Sequence, residues 1–473
     1  MAFGRNKKGL QTNTGSLTEG VIWRQLLVFF FPLMFGTIFQ QLYGTIDAII
    51  LGNFCGTEAL AAVGGSTGTI IDLLVGFFVG LSSGATVIIS QYYGANQADK
   101  VSKAVHTAIA LAILGAVALT IIGWFGAPYA LQAMDVPEDV YPHALVYLRV
   151  YFSGIIFSLI YNIGSGILRA IGDSKRPLYF LIVCCMTNLV LDVVLVAGAR
   201  LEVLGAAIAT IFSQGVSAVL VLITLAKSNG ACKLHFKEIR LDFAQLKSIL
   251  HIGLPAGIQS VLYTVSNMVI QASVNSFGTT AAAAWTAYGR LDSILWMVIN
   301  SFGIAITTFV GQNFGANQYH RMRKVVRTGF AMMLGSVVFL SYAIVLFGKY
   351  VLLLFTKDAA VLAQGEEIIY AIMPFFFTFV GIEVFSAATR GTGDTILPMI
   401  MTCFGVCVLR MVWIFTALPL NNTLSMLMYC YPITWSVTSI MFCIYYLQGG
   451  WLKRRIKANG YPEEVRIKKH QKA

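Results

Sequence analysis

Three polar side chains interrupt otherwise apolar stretches of this chain, Asp47, Asn188 and Asp192, and their spacing suits ion chemistry. Tyr43 precedes Asp47 by four residues and Asn188 precedes Asp192 by the same interval, so each pair shares one face of a helix. Carboxylates supplemented by amide and hydroxyl oxygens are hard ligands that hold Na⁺, or take up a proton in its place. Thr210 offers one more such oxygen. The plainer reading is that an aspartate near a helix end is a cap. It fits Asp47 better than Asn188 and Asp192, which have no Lys or Arg one turn away.

Further polar groups within apolar stretches are Asp72, Asn162, Arg290 with Asp292, Glu383 and Arg410. A charge inside a bilayer is costly unless it faces a cavity or a partner, so each is a site by default. Glu383 is expected either to compensate Arg410 as a structural pair or, like Asp72, to face a cavity and attract a cationic substrate. Phe375, Phe376, Phe377 and Phe379 offer ring faces to flat cations, or simply face lipid and core.

The elements that must position these groups are membrane helices. Of the 473 residues, 57% are apolar and 11% charged, against about 25% charged in an ordinary soluble domain. Apolar runs lie near 21–50, 57–91, 98–126, 138–168, 176–198 and 203–226, then near 243–275, 279–313, 319–347, 361–389, 396–417 and 424–449. This predicts an all-α membrane protein of twelve transmembrane helices: a tail at 1–20, an N-lobe at 21–226, a connector at 227–242, a C-lobe at 243–449 and a basic tail at 450–473. The first run is read as an uncleaved helix containing Pro32.

Of the 33 Lys and Arg, 27 fall on the face that carries both termini, three on the other face and three inside helices. That bias, rather than nucleic-acid binding, accounts for the net charge of +12, and it predicts cytoplasmic termini in a cell membrane. The eight cysteines lie mostly in apolar stretches, Cys403 and Cys407 lack a completing His or Cys, and the six histidines scatter. No cofactor beyond a coupling Na⁺ or H⁺ is expected, nor an enzyme, since no Ser or Cys has an evident His partner.

The chain repeats itself. Gln91-Tyr92-Tyr93-Gly94-Ala95-Asn96-Gln97 returns as Gln312-Asn313-Phe314-Gly315-Ala316-Asn317-Gln318, an offset of 221. Arg169, Gly172, Asp173 and Pro177 return as Arg390, Gly393, Asp394 and Pro398 at the same offset. The second motif reads as a turn, with Gly for the backbone angle, Asp as cap and Pro to open a helix. Six crossings per copy make the repeat parallel, so two lobes flank a cavity and rock about it, which argues for a transporter that works as a monomer. At this offset Asn188 and Asp192 fall on Leu409 and Trp413, and aligning Pro32 with Pro255 sets Asp47 opposite Ile270, so the acids belong to one copy.

These features resemble the multidrug and toxic compound extrusion (MATE) family over about Leu17 to Gln448, most specifically in Pro32 through Asp47 and Gly52, the paired Gln-x-x-Gly-Ala-Asn-Gln segments and the paired Arg-x-x-Gly-Asp turns. The resemblance is to the DinF branch, where Asp47, Asn188 and Asp192 match the N-lobe cation site, with Thr210 and Tyr43 fitting the same pattern. It implies antiport of organic, often lipophilic and cationic compounds against Na⁺ or H⁺, with Pro32 bending the first helix. The helix 7 acid of the NorM branch is absent, Thr264 standing near its place, and Phe379 stands near that branch's helix 10 aspartate. A lipid-linked oligosaccharide flippase of the same superfamily is the alternative, favoured by a cavity dense in Arg and Lys.

Overall fold

The computed structural model describes residues 17–458, so most of the N-terminal tail and the end of the C-terminal one lie outside the described residues. Ten helices are long and apolar enough to cross a membrane, and two bent pairs complete twelve crossings. The first six are α1 (Ile22–Phe54), α2 (Gly56–Gly94), α3 (Ala98–Ala133), α4 (Tyr141–Ser153 with Ile155–Ala170), α5 (Lys175–Gly198) and α6 (Glu202–Ala226). The second six are α7 (Phe243–Asn275), α8 (Thr279–Gly315), α9 (Tyr319–Leu352), α10 (Ala359–Phe375 with Phe377–Gly391), α11 (Ile396–Leu420) and α12 (Leu424–Gln448).

The bends have local causes. Helix α10 turns by 50° after a 3₁₀ turn, Met373–Phe375, where Pro374 has no N–H to give the ladder. Helix α4 turns by the same angle at Gly154, where a Cβ would lie 2.3 Å from Ile211 of α6. The repeated turns behave as loops: Gly172 and Gly393 take φ of +95° and +85°, and Asp173 accepts from the N–H groups of Lys175 and Arg176. The basic tail opens with a helix, α13 (Gly450–Ala458), which buries Trp451 and Leu452. In the connector, Cys232 and Leu234 are buried against the N-lobe, and Asp242 caps α7.

The lobes exchange apolar surface along the half of the bundle nearer the Lys- and Arg-rich face. Leu26, Phe29, Phe30 and Leu33 of α1 belong to the C-lobe core, while Ile249 and Ile252 of α7 belong to the N-lobe core. Gly80 and Gly84 of α2 press backbone to backbone on Gly253 and Gly257 of α7, and a Cβ on Gly84 would come within 2.3 Å of the Ile249 carbonyl. At the basic end the duplicated motif makes a reciprocal clasp. Gln91 Nε2 donates to the Gly391 carbonyl at 2.8 Å, and Gln312 Nε2 donates to the Ala170 carbonyl at 2.7 Å. Gly94 packs on the backbone of Gln312 and Gly315 on that of Gln91. Among the described residues, no side-chain hydrogen bond joins the lobes in the opposite half.

Candidate functional site

The N-lobe gathers polar groups from four helices. Tyr43 and Asp47 come from α1, Asn188 and Asp192 from α5, Thr210 from α6, and two tyrosines, Tyr147 and Tyr151, from the first half of α4. Close packing of α1 on α5 sets the geometry. A Cβ on Gly36 would lie 3.2 Å from Leu181, and Cys185 Sγ donates to the Phe39 carbonyl at 3.3 Å. The carboxyls of Asp47 and Asp192 lie near one another and near the Asn188 side chain, and Tyr43 and Tyr147 lie near Thr210, with no hydrogen bond closed among these groups.

Burial makes this cluster chemically demanding. Asp192 is 0% exposed, Asn188 and Thr210 1% and Asp47 7%. Asp47 Oδ1, both oxygens of Asp192, Asn188 Nδ2 and Thr210 Oγ1 are buried without a hydrogen-bond partner in the protein. Buried polar atoms are ordinarily satisfied, and two buried carboxylates side by side repel unless a cation stands between them. A π turn, Val193–Gly198, follows Asp192 directly; such turns recur at functional sites.

The C-lobe carries a different set at the related place. Arg410 is 2% exposed and donates through Nη1 to Ser266 Oγ at 3.2 Å and Asn267 Oδ1 at 3.0 Å, both on α7. Its guanidinium lies 4.4 Å from the ring centre of Tyr431 on α12. On α8, Asp292 accepts from Tyr288 Oη at 3.2 Å and from Trp296 Nε1 at 2.9 Å. Trp285, Trp296, Phe376, Phe379, Tyr431 and Trp435 form a continuous ring cluster beside them.

Other sequence candidates fall elsewhere. Glu383 does not pair with Arg410; it bonds Arg390 at 3.3 Å, seven residues on and two turns along the same face of α10. Phe379 is buried in the ring cluster, 4.8 Å from Trp296 by centroids, rather than open to a cavity. Asn162 turns back on its own helix, donating to the Ser158 carbonyl at 2.9 Å, and Arg290 is exposed on α8. Asp72 is exposed on α2 with Tyr151 nearby. Pro32 lies inside α1, which runs as one helix past it. Tyr147 and Tyr151 escaped the sequence reading because they precede the bend in α4, and only their Tyr-x-x-x-Tyr spacing hinted at a shared face.

The 221 offset also needs a correction along α11. Its π turn, Cys403–Val408, precedes the residues in question and adds one residue to the helix, whereas in α5 the π turn comes after them. Buried positions Asn188 and Asp192 therefore match buried Arg410 and Ile414, not the half-exposed Leu409 and Trp413.

The MatE family model matches residues 32–194 and again 255–416. "Probable multidrug resistance protein YpnP" of Bacillus subtilis is 31% identical over 85% of this chain and 89% of its own length. "Probable multidrug resistance protein YoeA" of the same organism is 28% identical over 81% and 84%. A solved structure described as the outward-facing conformation of a multidrug resistance MATE family transporter superposes with a TM-score of 0.85 at 22% identity, covering 95% of this chain and 100% of that one.

Proposed function

From the premise that this chain belongs to the MATE family, as its matches to the family model and to YpnP show, we propose that it is a cation-coupled antiporter that exports amphipathic organic compounds. The observation that carries this reading is the cluster of unpartnered buried oxygens contributed by Asp47, Asp192 and Thr210. Na⁺ or H⁺ entering this cluster satisfies them, and Asn188 and Tyr43 complete its wall. The seam fits one station of an alternating-access cycle: clasped at the basic face and unclasped at the other, with the basic face cytoplasmic by its charge. Binding of the ion in the N-lobe and departure of the organic compound are coupled through the tilt of the lobes, and Pro32 supplies a point at which α1 yields.

The flippase reading asks for a cavity dense in cations. Of the arginines in the apolar stretches, Arg149 stacks on Trp124 at 5.4 Å, Arg390 pairs with Glu383 and Arg410 bonds Ser266 and Asn267, so they are spread over separate partners rather than gathered in one basic cavity. The test uses proteoliposomes with a Na⁺ or a proton gradient imposed separately, following ethidium and, as an acidic counterpart, anthracene-9-carboxylate. One gradient should drive movement of a dye, and Asp47→Asn or Asp192→Asn should remove it. Movement that ignores both gradients, or survives both substitutions, refutes the coupling.

A further inference from the structure

The two lobes place opposite charge in the same pocket of the duplicated fold. With the π turn of α11 taken into account, Asn188 corresponds to Arg410; Thr210 corresponds to Tyr431 at the 221 offset, and Tyr43 to Ser266 when Pro32 is set on Pro255. The α6 to α12 correspondence holds along its length, since buried Val203, Ala206, Ser213, Ser217 and Val221 fall on buried Leu424, Leu427, Thr434, Thr438 and Phe442. The N-lobe pocket thus ends in carboxylates and the C-lobe pocket in a guanidinium.

That guanidinium has no counter-ion. Among the described residues no carboxylate forms an ion pair with Arg410, the oxygens of Asp292 accept instead from Tyr288 and Trp296, and Glu383 is taken by Arg390. Both of its hydrogen bonds leave through Nη1, and Nε is buried with no partner. The edge formed by Nε and Nη2 is the one whose parallel N–H groups match a carboxylate or phosphate. Asn267, whose Oδ1 accepts from Nη1, is exposed, and Tyr431, whose ring centre lies 4.4 Å from the guanidinium, is half-buried, so the group lies close to accessible surface. The pocket's walls are aromatic rings, which favour a flat partner.

We propose that the Arg410 pocket is an anion subsite that receives the carboxylate or phosphate group of a flat aromatic substrate, the ring lying against Tyr431 and its neighbours. This deepens the export reading and rests on it, and for this pocket it replaces the expectation of cationic compounds with one of aromatic acids. A buried, uncompensated arginine is costly to hold in a membrane helix, and a transient anionic guest offsets that cost.

The test measures binding at equilibrium, with no gradient, by quenching of tryptophan fluorescence in nanodiscs of zwitterionic lipid. The probes are anthracene-9-carboxylate and the matched cation 9-anthracenylmethylammonium. The wild-type protein should bind the acid at least ~10-fold more tightly than the amine, and Arg410→Gln should lose that preference. Asn267→Asp, which keeps the arginine but supplies a counter-ion in place, should lose it too and guards against misfolding of Arg410→Gln. Retained preference in a folded Asn267→Asp protein, or no preference in the wild type, overturns the proposal. Arg410-dependent binding without gradient-driven transport would refute the antiport reading alone, while coupled export of ethidium without acid binding would refute only the subsite.

Discussion

If the reciprocal clasp holds the lobes together at the basic face, then replacing both glutamines should open that face. Leucine has nearly the shape of glutamine, so Gln91→Leu with Gln312→Leu removes two hydrogen bonds, to Gly391 and Ala170, while keeping most of the packing. Each buried bond of this kind contributes about 1–1.5 kcal/mol net, so the pair contributes about 2–3 kcal/mol. At about 1.4 kcal/mol per tenfold, the equilibrium between clasped and unclasped states moves roughly 30- to 150-fold. The measurement is the distribution of distances between spin labels at positions 99 and 320, exposed repeat equivalents on opposite lobes, in a background with the eight native cysteines replaced. A longer-distance population should appear in the double variant and, to a lesser extent, in each single one. Gly315→Ala gives an independent route, because its Cβ would lie 1.9 Å from the Gln91 carbonyl and must displace one lobe by about 1 Å. A distribution unchanged in the double variant and in Gly315→Ala would show that the clasp does not govern the state of the seam.

Arg390→Met should leave Glu383 an uncompensated, half-buried carboxylate and cost on the order of 2 kcal/mol, read as a lowered Tm, with Glu383→Gln added in the same chain restoring most of it. Thr210→Val removes one unpartnered oxygen from the N-lobe cluster and should weaken the coupling ion about tenfold in an ion-dependence of transport, with little change in Tm because no protein hydrogen bond is lost. Gly123→Ala would bring a Cβ within 2.1 Å of Phe152 Cγ and should destabilise the N-lobe by about 1–3 kcal/mol, read in thermal unfolding.

The twelve crossings and two lobes were legible because hydrocarbon thickness and loop charge leave a one-dimensional record, and the repeat was legible because two separate motifs return at one offset. Asp47, Asn188 and Asp192 could be grouped because (i, i+4) spacing survives projection onto a line. What a line does not carry is a bend or a change of pitch. Tyr147 precedes the bend of α4 at Gly154, which a sequence does not display, and Arg410 takes the place of Asn188 only because α11 contains a π turn ahead of it. Glu383 was set against the wrong arginine for a similar reason: both are plausible by composition, and only helix phase selects Arg390.

The exchange at the seam, in which Gln91 reaches the residue before Thr392 and Gln312 reaches the residue before Ile171, is the contact pattern of an isologous dimer. Each half presents a self-complementary patch, so the covalent connector adds proximity rather than specificity. A gene cut within 227–242 should therefore yield two polypeptides that find each other, and the asymmetry of charge between the pockets is a freedom that fusion allowed: once both copies are on one chain, they need no longer be identical.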